Sequence, residues 1–152
     1  RMTYERYEEL VTAMCTTTEL GDPKVVLETK TLEVEGFTVL LDHFEDDPAA
    51  MYMQFDYGIV TAGRTLRIFR MMLESNLLVY AQDQAQLGVN PDTGGVLLIL
   101  RVPMGDDIDG NWFADTLVHY AEHGRYWRDH MSTAIDDMFE GVAAGDYAWL
   151  RA

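Results

Sequence analysis

The chain has 152 residues, of which 48% are hydrophobic, and its 26 acidic and 11 basic residues give a formal net charge of −15. This length fits one domain over residues 1–152, whose core needs neither a disulfide nor a metal. The negative charge repels nucleic acid and anionic membranes, so we expect neither as a partner. No apolar run approaches the roughly 20 residues that a membrane-spanning helix needs. The single cysteine, Cys15, cannot form an internal disulfide, which favours a reducing compartment and predicts a cytoplasmic protein.

The first half of the chain changes from a helical to a strand pattern. Apolar residues spaced by three and four predict a helix from Tyr4 to about Thr16, and Gly21-Asp22-Pro23 then predicts a loop. From Thr31 onward, apolar and polar residues alternate in three predicted strands. The strand face that we expect to meet the helices carries Phe37, Val39, Leu41, Met51, Met53 and Phe55. The opposite face carries Thr38, Leu40, Tyr52 and Gln54.

The second predicted helix is apolar over a wider arc than one buried face requires. One stripe of this helix consists of Leu66, Phe69, Met72 or Leu73, and Leu77. Ile68, Met71 and Leu78 fall outside that stripe. We therefore expect one side to cover the sheet and the other to meet a second apolar surface.

A hairpin and a long helix complete the prediction. Residues 85–90 and 96–104 flank Pro91-Asp92-Thr93-Gly94-Gly95, whose Pro, Asp and Gly residues are typical of a hairpin turn. The second strand is apolar on both faces, with Val96, Leu98 and Leu100 on one and Leu97 and Ile99 on the other. An Asp after Gly105 can cap the last helix, whose apolar stripe is Phe113, Leu117, Tyr120, Gly124, Trp127, Met131, Ile135 and Met138. The order α-β-β-β-α-β-β-α predicts an α+β domain with an antiparallel sheet, followed by a tail over 141–152 that frays or docks.

His119-Tyr120-Ala121-Glu122-His123 matches the inverted zinc-protease pattern H-x-x-E-H, in which two His bind zinc and the Glu activates water. A catalytic zinc site needs a third protein ligand, and only Glu140 follows, roughly 25 Å further along a straight helix. We interpret the pattern as a solvated polar face and predict no metal site. A zinc-dependent hydrolase that uses residues 119–123 remains an alternative.

Two further patterns in the sequence each have a functional and a structural explanation. Asp107-Ile108-Asp109-Gly110 resembles part of a calcium loop, but its first and twelfth positions would be Gly105 and Thr116, so helix capping explains these acids better. Four of the nine methionines, Met51, Met53, Met71 and Met72, cluster in the third strand and second helix, which favours an adaptable apolar interface for the set. We identify no catalytic residue and no cofactor.

Several segments together resemble the CesT/Tir-type family of type III secretion chaperones. They are Met72-Leu73-Glu74-Ser75-Asn76-Leu77, the hairpin Leu87-Gly88-Val89-Asn90-Pro91-Asp92-Thr93-Gly94-Gly95-Val96-Leu97-Leu98, Val102-Pro103-Met104, and Asp109-Gly110 before a helix that contains Trp127. The resemblance covers roughly residues 4–131. It implies a bacterial cytoplasmic homodimer without catalytic activity, which binds an extended N-terminal segment of a secreted effector and keeps it soluble for export.

The residues themselves suggest where such partners would bind. The wide apolar arc predicts a homodimer interface through Phe69, Met72, Leu73 and Leu77. The strand face opposite the helices predicts a client site at Leu40, Tyr52, Gln54, Leu97 and Ile99. A third hypothesis is an acidic inhibitor or immunity-type protein, whose basic partner would be folded when free, whereas a chaperone's client segment is disordered until bound.

Overall fold

The structure, a computed structural model, describes residues 2–133. Its elements in chain order are α1 (Met2–Thr18), α2 (Pro23–Thr29), β1 (Thr31–Val34), β2 (Phe37–Asp42), β3 (Ala50–Ile59), α3 (Thr65–Asp83), β4 (Ala85–Val89), β5 (Gly95–Pro103) and α4 (Gly110–Thr133). The predicted α+β class and the predicted order are confirmed, with one short helix, α2, in addition. Within the described residues, no helix is long and apolar enough to cross a bilayer.

The additional helix explains where the first-half prediction differs from the structure. α1 continues to Thr18, and the last turn accommodates the threonines, with the Thr18 hydroxyl donating to the Met14 carbonyl at 2.7 Å. Asp22 then caps α2 by accepting a hydrogen bond from the Lys24 amide at 2.9 Å, and Pro23 occupies the first helical position. An Asp-Pro pair that indicates a loop therefore also begins a helix.

The five strands form one antiparallel sheet in the order β1-β2-β3-β5-β4. A tight turn joins β1 to β2, with positive φ at Glu35 and at Gly36, as two-residue hairpin turns require. In the centre of the sheet, Phe55 lies between Val39 of β2 and Leu98 of β5. α1 and α4 pack against each other over one face, and α3 packs along β4.

The core lies between this face of the sheet and the helices. All six strand residues predicted to face the helices are fully buried. On α4 the predicted stripe is also buried from Phe113 to Met131, while Ile135, Met138 and the tail over 141–152 lie outside the described residues. Met51 and Met53 are fully buried and Met72 is 5% exposed, so the interpretation of the methionines as an interface set is wrong and they fill the core instead.

Candidate partner-binding site

One face of the sheet points away from α1 and α4, and we call it the outer face. Its side chains are those of Thr31, Thr38, Leu40, Tyr52, Gln54, Gln86, Leu97, Ile99 and Arg101. The register aligns Leu40, Gln54 and Ile99 in one row across β2, β3 and β5. Ile99 is 39% exposed, and the other four predicted client residues are half-buried. The structure therefore brings all five predicted client residues together on one face.

A polar cluster that the sequence did not reveal holds one end of the outer face. Arg101 donates to both carboxylate oxygens of Asp47, from Nε at 2.7 Å and from Nη2 at 2.8 Å, and the Tyr52 hydroxyl donates to Asp47 Oδ2. The hydrogen bonds from Arg101 lower the pKa of Asp47 to about 2. Phe44 packs on the Tyr52 ring with centroids 5.2 Å apart. The acidic loop after β2 is thus anchored over β3 and β5. In the sequence, this cluster is indicated by a single Arg in an apolar strand.

The rim of the outer face is predominantly acidic. Glu33 and Asp56 are exposed there, and the Glu33 carboxylate accepts a hydrogen bond from Thr38. Asp42 lies next to Tyr52 in the register and forms an ion pair with Lys30 at 3.4 Å. Since Arg101 is already paired with Asp47, the surface that surrounds the aliphatic residues is suited to a partner with basic side chains.

α3 has one buried and one exposed apolar side. Phe69, Leu73 and Leu77, predicted to form a dimer interface, are 39%, 71% and 79% exposed. Met72, predicted for the same interface, instead faces the core, because position 72 lies on the side of α3 that packs on β4. The exposed stripe comprises Leu66, Phe69, Leu73, Leu77 and Tyr80, at helical spacings of three and four.

A side-chain amide fixes α3 against the edge of the sheet. Asn76 accepts a hydrogen bond from the Leu87 amide at 2.7 Å and donates to the Leu87 carbonyl at 3.1 Å. These two bonds occupy the backbone N–H and C=O of Leu87, with which a further strand would pair at the edge of β4. A shallow groove of about 260 Å³ runs beside them, between the exposed stripe and Leu87.

The alternative zinc site does not assemble among the described residues. No group of three His, Cys, Asp or Glu side chains within residues 2–133 could hold a metal ion, and Glu140 lies outside that range. His119 is exposed, while His123 is half-buried with its Nδ1 atom enclosed and without a hydrogen-bond partner. Burial lowers the pKa of His123, which favours the neutral form of its ring.

The acids before α4 have structural roles. Asp109 Oδ1 accepts a hydrogen bond from the Trp112 amide at 2.8 Å, which caps the helix. Arg6 of α1 donates to the carbonyls of Gly105 and Ile108, and so ties the loop to the first helix. The calcium-like pattern therefore belongs to a helix cap.

A cleft opens on the helix side of the sheet, between the end of β5 and the first half of α4. Its volume is about 530 Å³, within the usual range for ligand pockets. Leu100, Val102 and Tyr120 form its floor, and the carboxylates of Asp83, Asp107 and Asp115 lie at its margin. We refer to it as the acidic cleft.

Comparisons with known proteins agree with this architecture. The sequence model of the family described as Tir chaperone protein (CesT) matches residues 24–128. The fold is similar to a chain in the structure of the HopA1-SchA chaperone-effector complex, with a TM-score of 0.62 and 14% identity over 85% of this chain and 98% of that one. It is also similar to a chain of the ExsC-ExsE complex, with a TM-score of 0.58 and 16% identity over 80% and 97% of the two chains. A search of curated proteins returned no match.

Proposed function

The chain belongs to the Tir chaperone protein (CesT) family, and from this membership we propose that it binds an extended segment near the N-terminus of a secreted effector in the bacterial cytoplasm. Binding keeps the effector soluble and competent for type III export, and it involves no catalysis and no cofactor. The observation that carries the proposal is the outer face, where Leu40, Leu97 and Ile99 lie among polar side chains on a sheet surface. Such a surface seats an extended chain by receiving alternate side chains.

The chemistry of the outer face indicates what the bound segment contains. Ordering a disordered segment costs roughly 2–5 kcal/mol. The free energy gained when apolar side chains of the segment contact Leu40 and Ile99 must exceed this cost. Glu33 and Asp56 at the rim favour basic residues between those anchors, which also speeds association with a protein of net charge −15. The preferred client segment therefore alternates aliphatic and polar residues and carries a net positive charge.

The proposal includes a homodimer formed by the exposed stripe of α3. Leu73 and Leu77 are more than two-thirds exposed in the single chain, which is costly for neighbouring apolar side chains on one helix face. A two-fold axis through the stripe makes the same residues meet their own copies, as closed dimers require.

The experiment begins with identification of the client. We expect affinity-tagged protein from the source bacterium to retain an exported protein, whose N-terminal fragment is then produced alone. Circular dichroism should show that the free fragment is disordered, and calorimetry should show that it binds the chaperone with a large negative heat-capacity change. A partner that is fully folded before binding would contradict the proposal and favour the inhibitor or immunity-type hypothesis.

A charged residue introduced on the outer face tests whether the effector fragment binds there. Ile99→Asp, and independently Leu40→Asp, should weaken binding of the effector fragment by at least about tenfold, because an aliphatic anchor is replaced by an ionised group among acids. Val25→Asp on α2 is the matched control, since Val25 is 54% exposed and belongs to a helix, so its side chain is not part of the outer face. Wild-type affinity in folded Ile99→Asp and Leu40→Asp proteins would show that the client binds elsewhere.

A further inference from the structure

The acidic cleft exists because β5 is longer than its neighbour. β4 pairs with β5 only as far as Ala85 opposite Leu100, so Arg101, Val102 and Pro103 continue past the end of β4. α4 spans the helix side of this overhang, and the space between them is open. The gap therefore lies at the edge of the sheet, where a chain can pass from the outer face to the helix side.

The floor of the acidic cleft is apolar and its margin is negatively charged. Leu100, Val102 and Tyr120 are each less than 4% exposed. Asp107 and Asp115, by contrast, are exposed, and Trp112 is a half-buried aromatic side chain of the same lining. An aliphatic stem on such a floor can present a cation to both the carboxylates and an aromatic ring.

The negative charge of the acidic cleft is not neutralised from within the described part of the chain. Asp83 accepts a hydrogen bond from the Tyr120 hydroxyl, but residues 2–133 supply no ion pair to Asp83, Asp107 or Asp115. Arg101 also borders the acidic cleft, but its guanidinium is paired with Asp47. The imidazole of His119 is the other basic group of the lining.

We infer that the acidic cleft receives an arginine or lysine side chain of the bound effector segment, preceded by an aliphatic residue that rests on the floor. This inference rests on the proposed function and adds a second anchoring point to it. A sheet layer is about 10 Å thick, so roughly three extended residues suffice to carry a segment around the overhang of β5 from Ile99 to the acidic cleft. The basic side chain suits the carboxylates that residues 2–133 leave without an ion pair.

A pair of small probes tests the acidic cleft on the full chain without knowledge of the effector. N-acetyl-leucyl-arginine amide is titrated into ¹⁵N-labelled protein, and the isosteric, neutral N-acetyl-leucyl-citrulline amide serves as its matched control. We expect shifts of the Asp107 and Asp115 amides and binding that is about tenfold tighter for the arginine probe. Equal affinity for the two probes, or shifts confined to another surface, would overturn the inference.

Substitutions then connect the acidic cleft to the effector. The double variant Asp107→Asn/Asp115→Asn keeps the shape of both side chains and should weaken binding of the arginine probe and of the effector fragment by about fivefold or more. Glu28→Gln on α2 removes an exposed carboxylate elsewhere and should leave both affinities unchanged. If the effector fragment binds the double variant as tightly as the wild type, the inference fails while the proposed function stands. If the arginine probe binds in the acidic cleft but no effector fragment binds at all, the proposed function fails and the inferred anchoring of an effector fails with it.

Discussion

At position 124, α4 crosses two aromatic rings of the sheet so closely that a side chain has no room. A Cβ atom there would lie 2.7 Å from Tyr57 Cε1 and 2.9 Å from Phe37 Cζ. The Tyr57 hydroxyl donates to the Tyr120 carbonyl at 2.8 Å, so a shift of this ring away from α4 strains that hydrogen bond. Arg128 of the same helix covers one face of the Phe37 ring, with its Cζ atom 4.1 Å from the centroid. Gly124 is therefore required by packing, although glycine weakens a helix.

Gly124→Ala should lower the free energy of unfolding by about 1–3 kcal/mol, because two buried rings must shift to accept the methyl group. Helix propensity alone would raise it by about 1 kcal/mol, so the sign of the change distinguishes the two effects. Urea denaturation followed by circular dichroism gives the measurement. Gly88→Ala is the control, since a Cβ at Gly88 meets nothing within 4 Å. An unchanged or higher stability of Gly124→Ala would contradict the packing argument.

At the scale of elements, the sequence predicts the faces of strands better than the rotation of a helix. The apolar residues of an alternating strand can lie on only one of two faces. Once Phe37, Val39 and Leu41 are assigned to the core, the residues between them must lie on the outer face. On α3, Met72 and Leu73 are both apolar and only about 100° apart around the axis, so the pattern cannot decide which is buried. The decision comes from contacts with β4, including the two hydrogen bonds between Asn76 and Leu87, which join residues 11 positions apart.

The same reasoning explains what the sequence missed. α2 has seven residues, too few for a helical period to become visible, and only its cap residues mark it. The cluster of Arg101 and Asp47 joins residues 54 positions apart, and neither sits in a motif. Its place on the outer face depends on the register of β3 with β5, which alternation within one strand does not reveal.

The exposed stripe of α3 gives a prediction about assembly. The wild-type protein should have twice the 17.3 kDa mass of the chain at micromolar concentration, and Leu77→Glu should return it to the mass of a single chain. The monomer should remain folded, because Leu77 is 79% exposed and contributes little to the core. Light scattering coupled to size exclusion gives the masses. Val118→Glu, on the exposed side of α4, should stay dimeric, and a monomeric wild type would exclude the interface.

At the scale of the whole molecule, the surface carries far more negative charge than its ion pairs can balance. Arg70, Arg101 and Arg125 are each paired with a carboxylate, yet the net charge of the chain is −15. Mutual repulsion of this excess opposes the compact state and keeps a protein with exposed apolar surfaces dispersed. The same acidity favours basic client segments on the outer face and in the acidic cleft.

Because this repulsion is screened by ions, the melting temperature at pH 7 should rise by several degrees between about 0.02 M and 0.5 M sodium chloride. Differential scanning calorimetry provides the measurement. The variant Glu28→Gln/Glu45→Gln, which removes two exposed carboxylates, should show a smaller rise than the wild type. A melting temperature that falls with salt would mean that attractive ion pairs outweigh the net repulsion.

The amide of Asn76 has a consequence for how copies of the sheet can associate. By occupying both backbone groups of Leu87 in the middle of β4, it blocks that edge of the sheet to further strands. On the opposite edge, β1, the described residues provide a side-chain cap only at the Thr31 amide, which donates to the Thr29 hydroxyl. Copies that join edge to edge must therefore use β1 on both sides. Such a pair leaves only two closed edges, so strand addition ends at two molecules and cannot propagate into a fibre.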